Sequence, residues 1–102
     1  MIPTIAAHRG EVRDLCRRFH VRRLDPFGSA ARGEDFTEAS DIGFLVEYEP
    51  AHAPPALGDF LAFRAALAAV LGRKVDVTVA KAVRNPFLRD AIARSRVTLH
   101  GA

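Results

Sequence analysis

The chain has 102 residues, of which 49% are hydrophobic and 26% are charged, and its formal net charge is +3. This size and composition predict one soluble domain over residues 1–102. No apolar run reaches the ~20 residues of a membrane span, and the first residues lack the pattern of a secretory signal. The single cysteine, Cys16, is compatible with a reducing compartment, so we expect a cytoplasmic protein that does not contact a membrane.

Near the N-terminus, apolar residues recur at three- and four-residue intervals and predict one amphipathic helix with Thr4 as its N-cap. These residues are Ile5, His8, Val12, Leu15, Cys16 and Phe19. Arginines line the opposite side, which we interpret as a solvated basic face rather than an RNA-binding patch. Direct nucleic-acid binding is therefore not expected, and Cys16 is expected to be a small core residue.

The first strand is predicted from Val21 to Phe27, and it leads into a turn at Gly28-Ser29. Proline cannot donate to a sheet ladder, so Asp25-Pro26 indicates a shortened or irregular strand. A glycine-serine turn at the start of a short helix, here Ser29 to Gly33, offers free backbone N–H groups and a hydroxyl to a phosphate. Without its context the pair is also compatible with a plain turn.

Glu34 to Ser40 is predicted to be an exposed acidic loop, and Ile42 to Tyr48 the second strand. Side chains alternate along a strand, so Asp41 and Gly43 share one face with Leu45 and Glu47. The other face carries the apolar set Ile42, Phe44, Val46 and Tyr48. Burial of the apolar face would bring Asp41 beside the Gly-Ser turn, which suggests a divalent cation bridging carboxylate and phosphate.

A surface loop is predicted from Pro50 to Pro55, and its His52 is given no role. A long helix follows from Leu57 to Leu71 and ends at the C-capping Gly72. Its expected core-facing residues are Leu57, Phe60, Leu61, Leu67, Val70 and Leu71. Phe63, at the edge of that stripe, is interpreted as a core residue rather than a subunit contact.

Val75 to Val79 is predicted to be the third strand, with Asp76 projecting from the face opposite its valines. Alone, Asp76 is compatible with a surface residue of an edge strand. If this strand lies beside the one that follows Asp41, the two carboxylates share one side of the sheet. Basic residues flank the strand, and one or two of them could reach a triphosphate: Arg73, Lys74, Lys81 and Arg84.

Asn85-Pro86 predicts the start of a last helix, with asparagine at the N-cap. Its expected core-facing residues are Phe87, Leu88, Ala91 and Ile92. Residues 97–99 could add a short terminal strand. Together these elements predict a small α/β (α+β) fold. Its mixed sheet of three or four strands carries helices mainly on one face, and the site lies on the other.

Two stretches, GSAARG at residues 28–33 and SDIGFLVE at residues 40–47, resemble the minimal nucleotidyltransferase family of the DNA polymerase beta-like superfamily. VLGRKVDVTVAKAV and RNPFLRDAI extend the resemblance over nearly the whole chain. The family signature is a Gly-Ser pair followed, after a spacer, by Asp-x-Asp at the head of a strand. Asp41 matches the first acid, and Gly43 stands where the second belongs.

The resemblance implies a transferase that moves a nucleoside monophosphate from a nucleoside triphosphate, expected to be ATP, to a protein or RNA hydroxyl with Mg²⁺. It implies that Asp41 and Asp76 hold the metal and that Asp76 orients or deprotonates the attacking hydroxyl. The implied phosphate-binding residues are Gly28, Ser29 and Arg32. Because Gly43 removes one carboxylate, we expect weak Mg²⁺ binding and reduced or lost activity.

Many similar proteins are antitoxins of a HEPN-domain ribonuclease toxin, so the resemblance also implies such a partner. Two functions stay open: an enzyme acting on a protein or RNA hydroxyl, and a catalytically weak or inactive antitoxin that neutralises the toxin by forming a complex. Gly43 favours complex formation, whereas Ser29, Asp41 and Asp76 favour nucleotide handling. Seven phenylalanines are many for one modest core, so we also expect a covered apolar patch, in a homodimer or against the toxin.

Overall fold

A mixed three-stranded sheet organises the computed structural model, which describes residues 2–33 and 40–101 and, for Ser29, Arg32 and Lys81, the backbone alone. Its strands are β1 (Val21–Phe27), β2 (Ile42–Tyr48) and β3 (Val75–Val79), in the order β1-β2-β3. β2 runs antiparallel to β1 and parallel to β3. The predicted fold class is confirmed.

The helices of the described ranges are α1 (Pro3–Ala7), α2 (Arg9–Arg18), α3 (Ser29–Arg32), α4 (Leu57–Leu71) and α5 (Pro86–Ser95). Short 3-10 turns occupy Pro50–His52 and Ala80–Ala82. None of these helices is both long and apolar enough to cross a membrane. The acidic loop expected before β2 lies outside the described residues, except for its last residue, Ser40.

The prediction of one N-terminal helix capped by Thr4 is wrong. α1 begins after Ile2, because Pro3 has the fixed backbone angle that suits a first helical position. The helix is then interrupted at His8, whose Nδ1 lies 2.8 Å from the Thr4 carbonyl oxygen. α2 therefore starts afresh at Arg9 and continues to Arg18.

One face of the sheet packs on α2 and α4 and forms the core. Its centre is Phe63, which is fully buried and lies 5.5 Å from Phe19 and 6.4 Å from Tyr48, measured between ring centroids. Leu57 and Leu61 were expected in this core, but they are 72% and 40% exposed. Residues two apart on a helix point to nearly opposite sides, so burial of Phe63 turns Leu61 outward.

The expectation of a shortened first strand at Asp25-Pro26 is wrong. The backbone carbonyl of Pro26 faces the outer edge of β1, away from β2, and accepts a hydrogen bond from the Val97 N–H. The missing proline donor therefore costs no bond to β2. The irregularity lies instead at Arg22, where the β1–β2 register shifts between Val21 and Arg23.

α5 and the chain after it cover the second face and the outer edge of β1. Asn85 caps α5 as predicted, accepting from the Phe87 N–H at 2.9 Å. Of the residues expected to face the core, only Ile92 is buried, whereas Phe87 is 84% exposed. Bonds at and just after the C-terminal end of α5 attach it to Asp25 of β1 and to Gly28, which follows β1, whereas its first turn faces solvent. After α5, the terminal strand is reduced to a single bridge between Leu24 and His100.

Candidate functional site

The turn after β1 is built around Gly28, which has a φ of 67°. This left-handed conformation favours glycine because other residues are strained there. The Gly28 carbonyl accepts from the Ala31 N–H at 3.1 Å and so starts the short helix α3. The predicted sequence of strand, glycine turn and short helix is therefore present. The side chains of Ser29 and Arg32 lie outside the described part of the structure.

The backbone N–H of Gly28 is not free, contrary to the expectation from the sequence. It donates to the Ser95 hydroxyl at 2.9 Å, and that hydroxyl donates to the Ala91 carbonyl at the same distance. The end of α5 is thereby attached to the turn. No sequence signal singles out Ser95 for this contact, because it joins positions far apart in the chain.

Asp41 and Asp76 lie on the same face of the sheet. Asp41 directly precedes β2, and the parallel register places Gly43 opposite Asp76. Because side chains alternate along a strand, Asp41, Gly43 and Asp76 all project to one side. Phe27 pairs with Gly43 on the other neighbouring strand, so the Gly28 turn lies at this same end of the sheet.

Both carboxylates are accessible to solvent, and basic residues lie close by. The Asp41 side chain is 47% exposed, and one of its carboxylate oxygens lies 4.0 Å from the Lys74 Nζ. A cavity of about 550 Å³ is lined by Asp41, Asp76, Lys74 and Arg64, together with apolar residues of α4. Arg73 donates to the Ser40 carbonyl at 2.9 Å and so attaches the residue before Asp41 to the start of β3.

The aromatic ring of Phe27 covers the position of the missing acid. A Cβ atom built on Gly43 would lie 3.1 Å from the Phe27 Cζ, closer than an ordinary van der Waals contact. A side chain at position 43 therefore requires the ring to move by a few tenths of an ångström. Sequence patterning could not reveal this contact, because it depends on the cross-strand register.

Oxygen ligands at this end of the sheet suit Mg²⁺, a hard cation that binds through one or two carboxylates, several waters and substrate phosphates. Asp41 and Asp76 are two carboxylates on one face at this end of the sheet. Within residues 2–33 and 40–101 no third acidic or histidine ligand joins them in a compact group. The residue types present therefore fit Mg²⁺ held together with a nucleotide, rather than in a cage made by protein alone.

Asp25 is a buried carboxylate that the sequence did not identify as important. It is fully buried, and its Oδ2 accepts from the Arg23 Nε at 2.9 Å and the Arg96 Nε at 2.6 Å. The pairing attaches the segment after α5 to β1. Two guanidinium groups therefore engage Asp25 in a structural contact.

Cys16 is buried in the core as predicted, and burial raises the pKa of its thiol to about 12. The residue packs as a small apolar side chain and is no nucleophile.

Comparison with known proteins gives a consistent family. Residues 9–99 match the family described as the nucleotidyltransferase domain. The protein adenylyltransferase MntA of Thermococcus cleftensis is 36% identical over 88 residues, which cover 86% of this chain and 82% of that protein. A solved structure described as a candidate minimal nucleotidyltransferase is 35% identical, covers 95% of each chain and superposes with a TM-score of 0.77.

More distant solved structures share the fold. One is a complex of tri-AMPylated Shewanella oneidensis HEPN toxin with MNT antitoxin, at 17% identity and a TM-score of 0.69 over 95% of this chain and 72% of that one. Another is a toxin–antitoxin with AMP-PNP, at 19% identity and a TM-score of 0.73 over 92% of this chain and 73% of that one. From the family match and the identity to MntA, the chain belongs to the nucleotidyltransferase domain family.

Proposed function

We propose that this member of the nucleotidyltransferase family binds a nucleoside triphosphate, ATP, with Mg²⁺ and transfers its nucleoside monophosphate to a hydroxyl of a protein or RNA. One observation carries the proposal: β2 and β3 run parallel, which sets Asp41 and Asp76 on one sheet face at the end where β1 delivers the Gly28 turn. A relative that covers 86% of this chain is named protein adenylyltransferase MntA. This name supports adenylyl transfer to protein.

In this proposal Asp41 and Asp76 would hold the Mg²⁺, which would neutralise part of the negative charge of the triphosphate when bound. Gly28, Ser29 and Arg32 bind the phosphates. Asp76 also orients the acceptor hydroxyl or takes up its proton. The acceptor oxygen forms a bond to the α-phosphorus, and pyrophosphate leaves from the opposite side of that phosphorus. The Gly28 N–H must exchange its bond to Ser95 before it can donate to a phosphate.

Because Gly43 stands where the second metal-binding carboxylate is expected, we predict that the transfer reaction is slow. A carboxylate that binds metal in the transition state contributes on the order of several kcal/mol, so its loss lowers the rate by orders of magnitude. Lys74 is close enough to Asp41 to offset part of its negative charge when no nucleotide is bound. When the triphosphate is present, the Lys74 ammonium can contact it instead.

For the protein partner we propose a HEPN-domain toxin in the cytoplasm. The support is similarity to a chain from a complex between a HEPN toxin and MNT antitoxin, together with the adenylyltransferase name of the closer archaeal relative. AMP-PNP in a further toxin–antitoxin structure supports an adenine nucleotide. The RNA acceptor has no such support.

The alternative function is neutralisation of the toxin by complex formation without transfer. Gly43 favours it, because loss of a metal ligand affects catalysis but leaves the protein surface able to bind. Exposed apolar side chains provide such a surface, including Leu57 at 72% and Phe87 at 84% exposure. The homodimer expected from the sequence would use the same kind of surface and stays a prediction.

The test combines purified chain, a HEPN-domain protein from the same genome, Mg²⁺ and ATP labelled at the α-phosphate. We expect slow label transfer that is lost in Asp41→Asn and Asp76→Asn and kept in Asp14→Asn, which changes an exposed aspartate on α2. Toxin inhibition by wild type and both site variants, without any label transfer, would support complex formation. Transfer that is equal in all four proteins would contradict the site.

A further inference from the structure

At the end of the sheet opposite Asp41, two histidines and a glutamate form a compact group. Ligand atoms of His20, Glu49 and His52 all lie within 4.8 Å of one another, and the three residues are exposed. The His20 Nδ1 lies 3.9 Å from a Glu49 carboxylate oxygen. The two imidazole rings are stacked, with centroids 3.6 Å apart and planes 2° from parallel. We propose that this group, the histidine-glutamate cluster, is a binding site for Zn²⁺.

Backbone hydrogen bonds fix the three residues relative to one another. The Glu49 N–H donates to the His20 carbonyl at 2.9 Å, and the His52 N–H donates to the Glu49 carbonyl at 2.8 Å. His52 ends a 3-10 turn that begins at Pro50, which limits the backbone freedom of the turn. The three backbones are thus positioned before any ion binds.

His20 lies just beyond the end of α2 with a φ of 59°. This left-handed position usually carries glycine or asparagine, because most other residues are strained there. Histidine tolerates the conformation better than most residues do, and it gives the position an imidazole that glycine and asparagine lack. The conformation also directs the chain from α2 into β1 beside Glu49.

The donor set determines the class of metal. Imidazole nitrogen suits late first-row divalent ions, whereas Mg²⁺ selects oxygen ligands. Two histidines and one glutamate are a known zinc ligand set, and they leave a fourth position for water or for a donor from another molecule. The cluster therefore selects a different ion from the one proposed for Asp41 and Asp76.

Metal binding requires the ligand atoms, which lie within 4.8 Å of one another, to move closer together. In a tetrahedral site with bonds of about 2.1 Å, ligand atoms lie roughly 3.4 Å apart, slightly closer than the 3.9 Å between His20 and Glu49. A metal binds in the plane of an imidazole, so the stacked rings of His20 and His52 must rotate apart. Both rings are exposed, so this rotation takes place in solvent.

The cluster is separate from the nucleotide site. His20 directly precedes β1 and Glu49 directly follows β2, whereas the Gly28 turn and Asp41 lie at the other ends of those strands. A seven-residue strand spans roughly 20 Å, so one ion cannot serve both places. A cavity of about 440 Å³ lies beside the cluster, and its charged lining residues are Arg18 and Asp59.

The experiment is a calorimetric titration of ZnCl₂ into metal-free protein after removal of any polyhistidine tag, with visible absorption of a Co²⁺ complex as a second readout. We expect one Zn²⁺ per chain. His20→Asn, which keeps a residue suited to the left-handed backbone, and His52→Gln should each weaken binding about tenfold or more. Circular dichroism of each variant checks that the fold is retained.

His100→Gln is the matched control, since it removes a histidine from the C-terminal segment, and it should bind Zn²⁺ as the wild type does. Asp41→Asn should also bind normally, and loss of binding in that variant would place the ion at the nucleotide site instead. The proposal is overturned if the wild type binds no more tightly than His20→Asn/His52→Gln. Unchanged Co²⁺ spectra in that double variant would overturn it as well.

Discussion

The ring of Phe27 packs directly over Gly43, so that a Cβ atom at position 43 would lie 3.1 Å from the Phe27 Cζ. The two residues pair across β1 and β2, one strand away from Asp76. An acid can therefore be restored at position 43 only if the aromatic ring shifts.

The first prediction concerns that position. Gly43→Asp should raise Mg²⁺-dependent nucleotidyl transfer by about tenfold or more, which requires only ~1.4 kcal/mol of transition-state stabilisation. It should also lower the free energy of unfolding by on the order of 1 kcal/mol through the contact with Phe27. Label transfer and urea denaturation measure the two effects.

Gly43→Ala is the matched control, because it adds the same Cβ without a carboxylate. It should reproduce the loss of stability and give no gain in transfer. Equal transfer by Gly43→Ala and Gly43→Asp would contradict the view that a missing metal ligand limits the rate. Phe27→Leu combined with Gly43→Asp should show whether the ring opposes the new acid.

The second prediction tests the bond between Gly28 and Ser95. One N–H cannot fully satisfy both the serine hydroxyl and a phosphate, so Ser95→Ala should tighten nucleotide binding a few-fold. The same change should lower the unfolding free energy by about 1 kcal/mol. Ser95→Thr keeps the hydroxyl and is the control. Weaker nucleotide binding in Ser95→Ala alone would mean that the bond positions the turn for its ligand.

Chain order and alternation were sufficient to predict the three strands and the turn at Gly28, and they predicted a shared face for Asp41 and Asp76 on the condition that β2 and β3 are neighbours. These features depend on local patterns and on one parallel pairing. The contacts of Phe27 and Ser95 depend on packing between distant segments, so they could not be predicted.

Helix faces were predicted less well than strands. The exposure of Leu57 and Phe87 shows that apolar spacing does not decide which side of a helix meets the sheet. From the sequence, Asp25 was considered only together with Pro26, as a sign of an irregular strand. Its partner Arg96 lies 71 positions away in sequence. The histidine-glutamate cluster was missed for a similar reason, because only the folded structure brings His52 beside His20.

The third prediction concerns the buried carboxylate of Asp25. Arg96→Met removes one of its two guanidinium partners and leaves a buried charge less well compensated. We expect a loss of about 3 kcal/mol in the free energy of unfolding. Arg94→Met, at an exposed position in the last turn of α5, should cost less than about 0.5 kcal/mol. Equal losses in the two variants would show that the ion pair contributes nothing.

The fourth prediction concerns Cys16 and pH. Burial raises the pKa of its thiol from 9.0 to about 12, so the folded protein holds this proton while the unfolded chain releases it. Stability from this group is therefore complete below pH 9.0 and is lost as the pH rises towards about 12. Cys16→Ala should be less stable at pH 7 but should lose less stability between pH 8 and pH 10. Parallel curves for both proteins would contradict the shift.

Titration of the protein with a non-hydrolysable ATP analogue in the presence of Mg²⁺ tests most directly whether Asp41 and Asp76 form the nucleotide site. We predict weak binding to the wild type, weakened a further tenfold or more in Asp41→Asn and in Asp76→Asn, and unchanged in Asp14→Asn. The binding of the wild type should also fall sharply when Mg²⁺ is removed by a chelator. Affinity that is the same in all four proteins, with and without Mg²⁺, would contradict the account.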